Sequence, residues 1–169
     1  VSQAQNHQHR HSTEDRLIPG AEGIPAEAAC GCFETIIAGL TRKYGLSPEQ
    51  AQTVWNLVGN RFAEIFPELT PEDCSTESAA NIQESVTETS IPRAFVRWSI
   101  HHEWCTTLED LIERRLMLIF ASPVHRATIR ELGQEMVTAG KLAESHLEAE
   151  VDSVCQRLQQ FYGKAIATD

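Results

Sequence analysis

Carboxylates and guanidinium groups crowd one segment of the sequence, Glu103-Trp104-Cys105-Thr106-Thr107-Leu108-Glu109-Asp110-Leu111-Ile112-Glu113-Arg114-Arg115. Closely set acids could serve general acid–base chemistry, and an arginine could face a ligand. Helical geometry offers a plainer account. Glu109 and Asp110 fall in the first turn behind a Thr107 N-cap, where capping and the helix-end field favour acids. Asp110 and Arg114 are spaced for an i,i+4 pair, worth roughly a few tenths of a kcal/mol on a solvated flank. No nucleophile–base pair accompanies them, and no Gly-x-Gly-x-x-Gly loop occurs anywhere in the chain. No catalytic or cofactor-binding residue is therefore expected here.

Metal chemistry fares no better. His7, His9 and His11 alternate in a polar N-terminal stretch that can take a divalent ion only unspecifically. His101 and His102 are adjacent on a helix and so point about 100° apart. Cys30-Gly31-Cys32 splits its thiols across faces and lacks the second pair that a zinc site needs.

The elements that must position the charged segment follow from its apolar period. At about 100° per residue, Val96, Ile100 and Glu103 share one stripe of a third helix. On a fourth, Leu108, Leu111, Ile112, Leu118 and Ile119 share an arc that contains Arg115 and leaves Arg114 outside, near Asp110. A buried unpaired charge costs on the order of several kcal/mol, so Arg115 requires an anion. Glu103 is the natural partner, with Glu131, Glu135 and Glu150 as alternatives. Trp98 and Trp104 fall on different flanks, so at least one of them is expected to face a partner; Trp55 reads as a core or interface anchor.

The remaining pattern is helical throughout. Phe33, Ile36, Ile37, Leu40 and Tyr44 form a first face, closed by Gly45 at a C-cap. Ser47-Pro48-Glu49-Gln50 is a capping-box start, and the second helix carries Val54, Leu57, Val58, Phe62 and Ile65 until Pro67. Its short link to the first helix predicts an antiparallel hairpin. Residues 67–91 read as a long surface connection, with a short helix around Ala79–Ser85. Pro92 opens the third helix, expected to run to about Cys105, and Ser122-Pro123 opens the fifth, with Ile129, Leu132 and Met136 inward and Gly140 at its end. Leu147, Val151, Val154, Leu158 and Phe161 stripe the last. The expectation is an all-α chain: a flexible tail over 1–22, then a single domain over 23–169 of five to six helices in orthogonal or bundle-like packing.

Composition sets the outer bounds. The 169 residues, 41% hydrophobic and 22% charged, suffice for one cored domain and are too apolar for disorder. A net charge of −10, from 24 acidic against 14 basic residues, repels nucleic-acid backbones and anionic lipid alike. No apolar run approaches the roughly 20 residues of a membrane span, and the N-terminus shows no apolar signal core. The five cysteines (Cys30, Cys32, Cys74, Cys105, Cys155) make no regular disulfide framework and read as reduced cytosolic thiols.

Glu103, Thr107-Leu108, Asp110 and Arg114-Arg115, in that order and spacing, resemble the helical C-terminal domain of FAD-dependent glycerol-3-phosphate dehydrogenases and the related alpha-glycerophosphate oxidases. Leu17-Ile18-Pro19-Gly20-Ala21 is similar to the segment that follows their FAD-binding part, Leu40-Thr41-Arg42-Lys43-Tyr44-Gly45 to the end of their first helix, and Glu150 to an acidic position in their last. The likeness covers about residues 16–163. Phe95 stands where relatives commonly carry an acid, and Lys141 where they often carry tryptophan. The resemblance implies a parent enzyme that oxidises glycerol 3-phosphate to dihydroxyacetone phosphate and passes electrons through FAD to quinone or oxygen. It implies a cytoplasmic setting, with room for docking of the parent on the inner face of the membrane. The partner would be the preceding FAD-binding catalytic domain of the same polypeptide, with a homo-oligomer as a further option. Glu103, Arg115, Asp110, Arg114, Trp98 and Trp104 would then serve ion pairs and a domain interface. The alternative is a stand-alone helical interaction or regulatory module without an enzyme parent.

Overall fold

Ser47 shows local chemistry closing on itself. Its hydroxyl accepts from the Gln50 backbone N–H at 3.1 Å, and its own N–H donates to Gln50 Oε1 at 2.9 Å, which completes the expected capping box. This is a computed structural model that describes residues 32–62, 65, 84–121 and 123–167. The expected tail over 1–22, His7, His9, His11, Cys30 and nearly all of the expected Ala79–Ser85 helix lie outside the described residues. Cys32–Tyr44 forms α1 and Pro48–Val58 forms α2, joined through Gly45 at φ +70°. After α2 a 3-10 turn, Gly59–Arg61, leads to the buried Phe62.

The third helix, α3 (Arg93–His102), is shorter than the sequence predicts. Glu103 is its C-cap, and Trp104 at φ +55° turns the chain away before the buried Cys105. The fourth element also departs from expectation. Thr107 does cap α4 (Leu108–Asp110), its hydroxyl accepting from the Asp110 N–H at 3.1 Å. From there Leu111–Arg115 widens into a π turn, sealed by Leu116 N–H to Leu111 O at 2.9 Å. Met117 at φ +53° then ends the helix, so Leu118 and Ile119 belong to a separate 3-10 turn, Leu118–Phe120. Arithmetic at one fixed angle per residue cannot cross such a break.

α5 (Arg126–Thr138) begins later than Ser122-Pro123 suggests. Val124 and His125 instead form β1, a parallel pair with β2 (Ile166–Ala167) in the register Val124↔Ile166. The helix still buries Ile129, Leu132 and Met136, and Gly140 sits at φ +70° beyond its end. α6 (Leu147–Tyr162) buries Leu147, Val151, Val154 and Leu158, but Phe161, the last member of its expected stripe, stands in solvent at 66% exposure.

The described residues thus form a mostly helical domain of six helices and one two-strand ladder. The α5–α6 pair is its most extensive helix contact. Gly133 permits that approach: a Cβ there would lie 2.5 Å from Leu147 Cδ1 and 3.4 Å from Leu108 Cδ2. The turn over residues 84–92 clasps the layers together. Ser85 pairs with Pro92 in an extended bridge rather than a helix. Ser85 and Ser90 bond α2 through Gln50 Nε2 at 2.9 Å and Thr53 Oγ1 at 2.6 Å. Thr87 O accepts from Thr128 Oγ1 of α5 at 2.8 Å. No described helix is long and apolar enough to cross a membrane.

Candidate functional site

Two residues in the left-handed region, Trp104 and Met117, bracket the charged segment. Holding a bulky side chain there costs about 1–2 kcal/mol, so the surrounding structure must fix it. Trp104 is the outward tryptophan, 88% exposed. Trp98 is buried and stacks on Phe95 and His102, with ring centroids 6.1 and 5.4 Å away. Trp104, Thr106, Thr107, Asp110, Arg114 and Arg115 border an open, polar groove of about 530 Å³, which also reaches Glu109 and Glu113. Small-molecule sites are mostly enclosed and apolar, and this groove is neither.

The structure separates the two arginines as the helical geometry predicts, but changes the partner of Arg115. Arg114 is largely exposed and reaches Asp110 Oδ1 at 3.2 Å, the i,i+4 pair. Arg115 is mostly buried, and the anion facing it is Asp110, with Nε to Oδ2 at 4.0 Å. Glu103 does not meet it. That carboxylate instead takes Arg61, 3.5 Å away in the 3-10 turn after α2. The reason is the break at Trp104: with α3 stopped at His102, Glu103 no longer continues the Val96–Ile100 stripe. Asp110 Oδ1 and Arg115 Nε are both shut from water without a hydrogen-bond partner, so the Arg114 and Arg115 contacts are charge contacts only.

The strongest polar constellations join acids of the sequence's charged positions to arginines that its pattern did not single out, Arg157, Arg93 and Arg97. Glu113, buried on the π turn, accepts from Arg157 Nε at 2.6 Å, Arg157 Nη2 at 3.2 Å and the Tyr162 hydroxyl at 2.9 Å. Arg157 also reaches Glu109 at 2.8 Å and lies 5.1 Å from the centre of the Phe161 ring. The Arg157 hydrogen bonds hold the Glu113 carboxyl below the usual carboxylate range against the opposing effect of burial. The same bond from Tyr162 pushes its phenol up.

The second constellation joins α3 to α5. Glu135 accepts from Arg93 Nη1 at 2.8 Å and from Arg97 Nε and Nη2 at 2.8 and 3.1 Å. Arg93 also pairs with Glu131 and, at 3.1 Å, with Glu84. Burial alone would raise the Glu135 carboxyl, but hydrogen bonds from Arg97 and Arg93 overcome it and the net shift is downward. A signal for this network was present in the sequence. Arg93 and Arg97 are four apart on one helix, and Glu131 and Glu135 four apart on another, so each pair lies on one helix face.

Glu113 and Glu135 are held as anions by arginine, which suits a structural tie and not proton transfer near neutral pH. The one buried thiol beside the groove is inert for the opposite reason. Burial first, then the Asp110 charge, pushes Cys105 up to about 11, so it stays protonated. Among the described residues no group of His, Cys, Asp and Glu is placed to hold a metal ion.

Comparison with known proteins adds one finding. A family model described as the C-terminal domain of alpha-glycerophosphate oxidase matches residues 11–145. No curated protein and no solved structure gives a match.

Proposed function

The chain belongs to the family of C-terminal domains of alpha-glycerophosphate oxidase, and from that premise we propose that it is the non-catalytic helical domain of a FAD-dependent enzyme. The parent reaction is the oxidation of glycerol 3-phosphate to dihydroxyacetone phosphate, with electrons passed to quinone or oxygen, in the cytoplasm. In this reading residues 1–22 link the domain to a preceding flavin-bearing domain, and residues 23–169 pack against it.

The single observation that carries the reading is a family match over most of a chain whose sequence has no Gly-x-Gly-x-x-Gly loop. FAD pyrophosphate is held where a glycine-rich turn leads from a strand into a helix N-terminus. Here the first N–H groups of α2 are taken by its capping box, and α3 and α5 start behind Pro92 and His125, not behind glycine. No step of the parent reaction is assigned to the described residues. The charged clusters are satisfied by one another, Glu113 by Arg157 and Tyr162, Glu135 by Arg93 and Arg97. That supports a role in holding shape.

The test is direct. The purified chain, incubated with FAD and passed through a desalting column, should retain no flavin absorbance. It should also give no turnover of glycerol 3-phosphate with an artificial electron acceptor. Stoichiometric flavin or measurable turnover would overturn the proposal.

A further inference from the structure

A cavity of about 420 Å³ gathers residues from separate stretches of the chain. That size lies within the roughly 300–1,000 Å³ of ordinary small-molecule sites. α2 contributes Thr53, the 84–92 turn Glu88 and Ser90, the exit of the π turn Met117, and β1 His125. Unlike the groove at Trp104, it sets a few polar groups among apolar ones, here Ile91, Leu116, Leu118 and Val124. Three contacts hold its walls together. Thr53 Oγ1 lies 2.6 Å from Ser90 Oγ, Thr128 Oγ1 donates to Thr87 O, and β1 is paired with β2. Two lining residues also carry backbone strain. Glu88 at φ +57° and Met117 at φ +53° occupy the left-handed region that favours glycine. In the turn closed by Thr89 N–H to Val86 O at 3.0 Å, Glu88 takes the third position, where glycine is the usual residue. Strain of this kind gathers at ligand clamps, where the side chain has a use.

We infer that this cavity binds a small organic cation, an ammonium group carried on an apolar body. The lining groups select the charge. Among the described residues no ion pair or hydrogen bond engages the Glu88 carboxylate, whereas Glu84, Glu113, Glu131 and Glu135 are all bound to arginine. No lysine or arginine lines the cavity among the described residues; the Lys164 ammonium reaches the Ala121 carbonyl at 2.8 Å without lining it. A phosphate or carboxylate ligand would therefore meet the Glu88 charge with no lining cation to offset it. His125 adds an imidazole, which accepts a hydrogen bond when neutral. The Thr53–Ser90 pair holds two hydroxyl protons. One lies between the oxygens, and the second is left for an acceptor on the ligand. The apolar lining takes up the ligand's body, and the net charge of −10 raises the local concentration of cations. This site belongs to the chain itself and does not depend on the function proposed above.

Three probes of one shape separate the charges: phenethylamine, phenethyl alcohol and phenylacetate. Each is titrated into the purified chain at neutral pH and followed by two-dimensional amide NMR. Phenethylamine should shift the amides of Ile91, Met117 and His125. It should bind about fivefold or more tightly than phenethyl alcohol, the worth of one partly sheltered charge pair, and phenylacetate should bind weakest. Glu88→Gln should bring the amine down to the level of the alcohol. Glu88→Gly should do the same while the protein melts at an equal or higher temperature, because glycine relieves the left-handed backbone. A merely structural role for Glu88 would leave the amine's advantage unchanged in both. Ala121→Phe places a ring in the cavity from extended backbone and should abolish the shifts from all three probes. Where that variant fails to fold, the two Glu88 variants decide. No binding of phenethylamine, or equal affinity for amine and alcohol, would overturn the inference. So would tighter binding of phenylacetate, an amine preference that survives both Glu88 changes, or shifts centred on the Trp104 groove.

Discussion

Replacing Glu135 with alanine should destabilise the domain by about 3 kcal/mol, with the loss carried through Arg93. The carboxylate exposes 6% of its side chain and receives three guanidinium hydrogen bonds, one from Arg93 and two from Arg97. Removing one side of a buried charge pair costs about 3–5 kcal/mol, because the other charge stays behind. Arg93 is 16% exposed but keeps Glu131 and the half-exposed Glu84, which places the loss at the lower end of that range. Arg97 is 45% exposed, so its share is at most about 1 kcal/mol. For a domain of this size each kcal/mol moves the melting temperature by about 2–4 °C, giving a drop of about 6–12 °C. Urea unfolding followed by far-ultraviolet circular dichroism measures the change at constant slope. The effect also has a pH signature. A carboxyl lowered on folding contributes stability above its unfolded value of about 4.3, and that stability is lost as pH falls through the folded value. Wild type and variant should therefore converge in acid. A loss under about 1 kcal/mol for Glu135→Ala, or an equal loss for Arg97→Ala, would refute the reasoning.

Four further outcomes follow from the geometry. Glu113 is likewise lowered on folding, so Glu113→Gln should flatten the acid limb of the stability–pH curve below about pH 4.3, read from thermal melts; a limb identical to wild type would count against the Arg157–Glu113 bond. Gly133→Leu should cost about 3 kcal/mol or more by overpacking against Leu147 and Leu108, whereas Gly133→Ala should cost about 1, because helix propensity offsets part of the clash. Arg115→Leu should lower the melting temperature clearly while Arg114→Leu leaves stability within about 0.5 kcal/mol, and equal shifts would contradict the separate placement of the two. Cys105 should resist alkylation at neutral pH until the domain unfolds, as followed by mass spectrometry.

What could be read from the sequence was whatever depends on neighbours three or four residues away. The capping box at Ser47, the inward faces of α5 and α6 and the Asp110–Arg114 pair all belong to that class. The failures around the charged segment share one physical cause, a backbone event that resets the period. Trp104 and Met117 enter the left-handed region, where tryptophan and methionine give no local signal, and the π turn between them changes the angular step. The expected facing of Glu103 with Arg115 was lost across the first of those points, although Leu118 beyond the second is still buried. Phe161 was misplaced for a different reason. The stripe of α6 continues in sequence after the neighbouring layer has ended, and the ring lies against Arg157 instead of in the core. The ties from Glu113 to Arg157 and from Glu135 to Arg93 join residues about forty positions apart. Only matching charge spacings on separate helices hinted at them.

In the proposed function this helical domain supports a flavin enzyme and carries none of its chemistry. The intact mass and visible spectrum of the protein purified from its native source test that most directly. The prediction is a polypeptide far heavier than 18.9 kDa that carries one FAD and oxidises glycerol 3-phosphate. A colourless polypeptide of 18.9 kDa would contradict it.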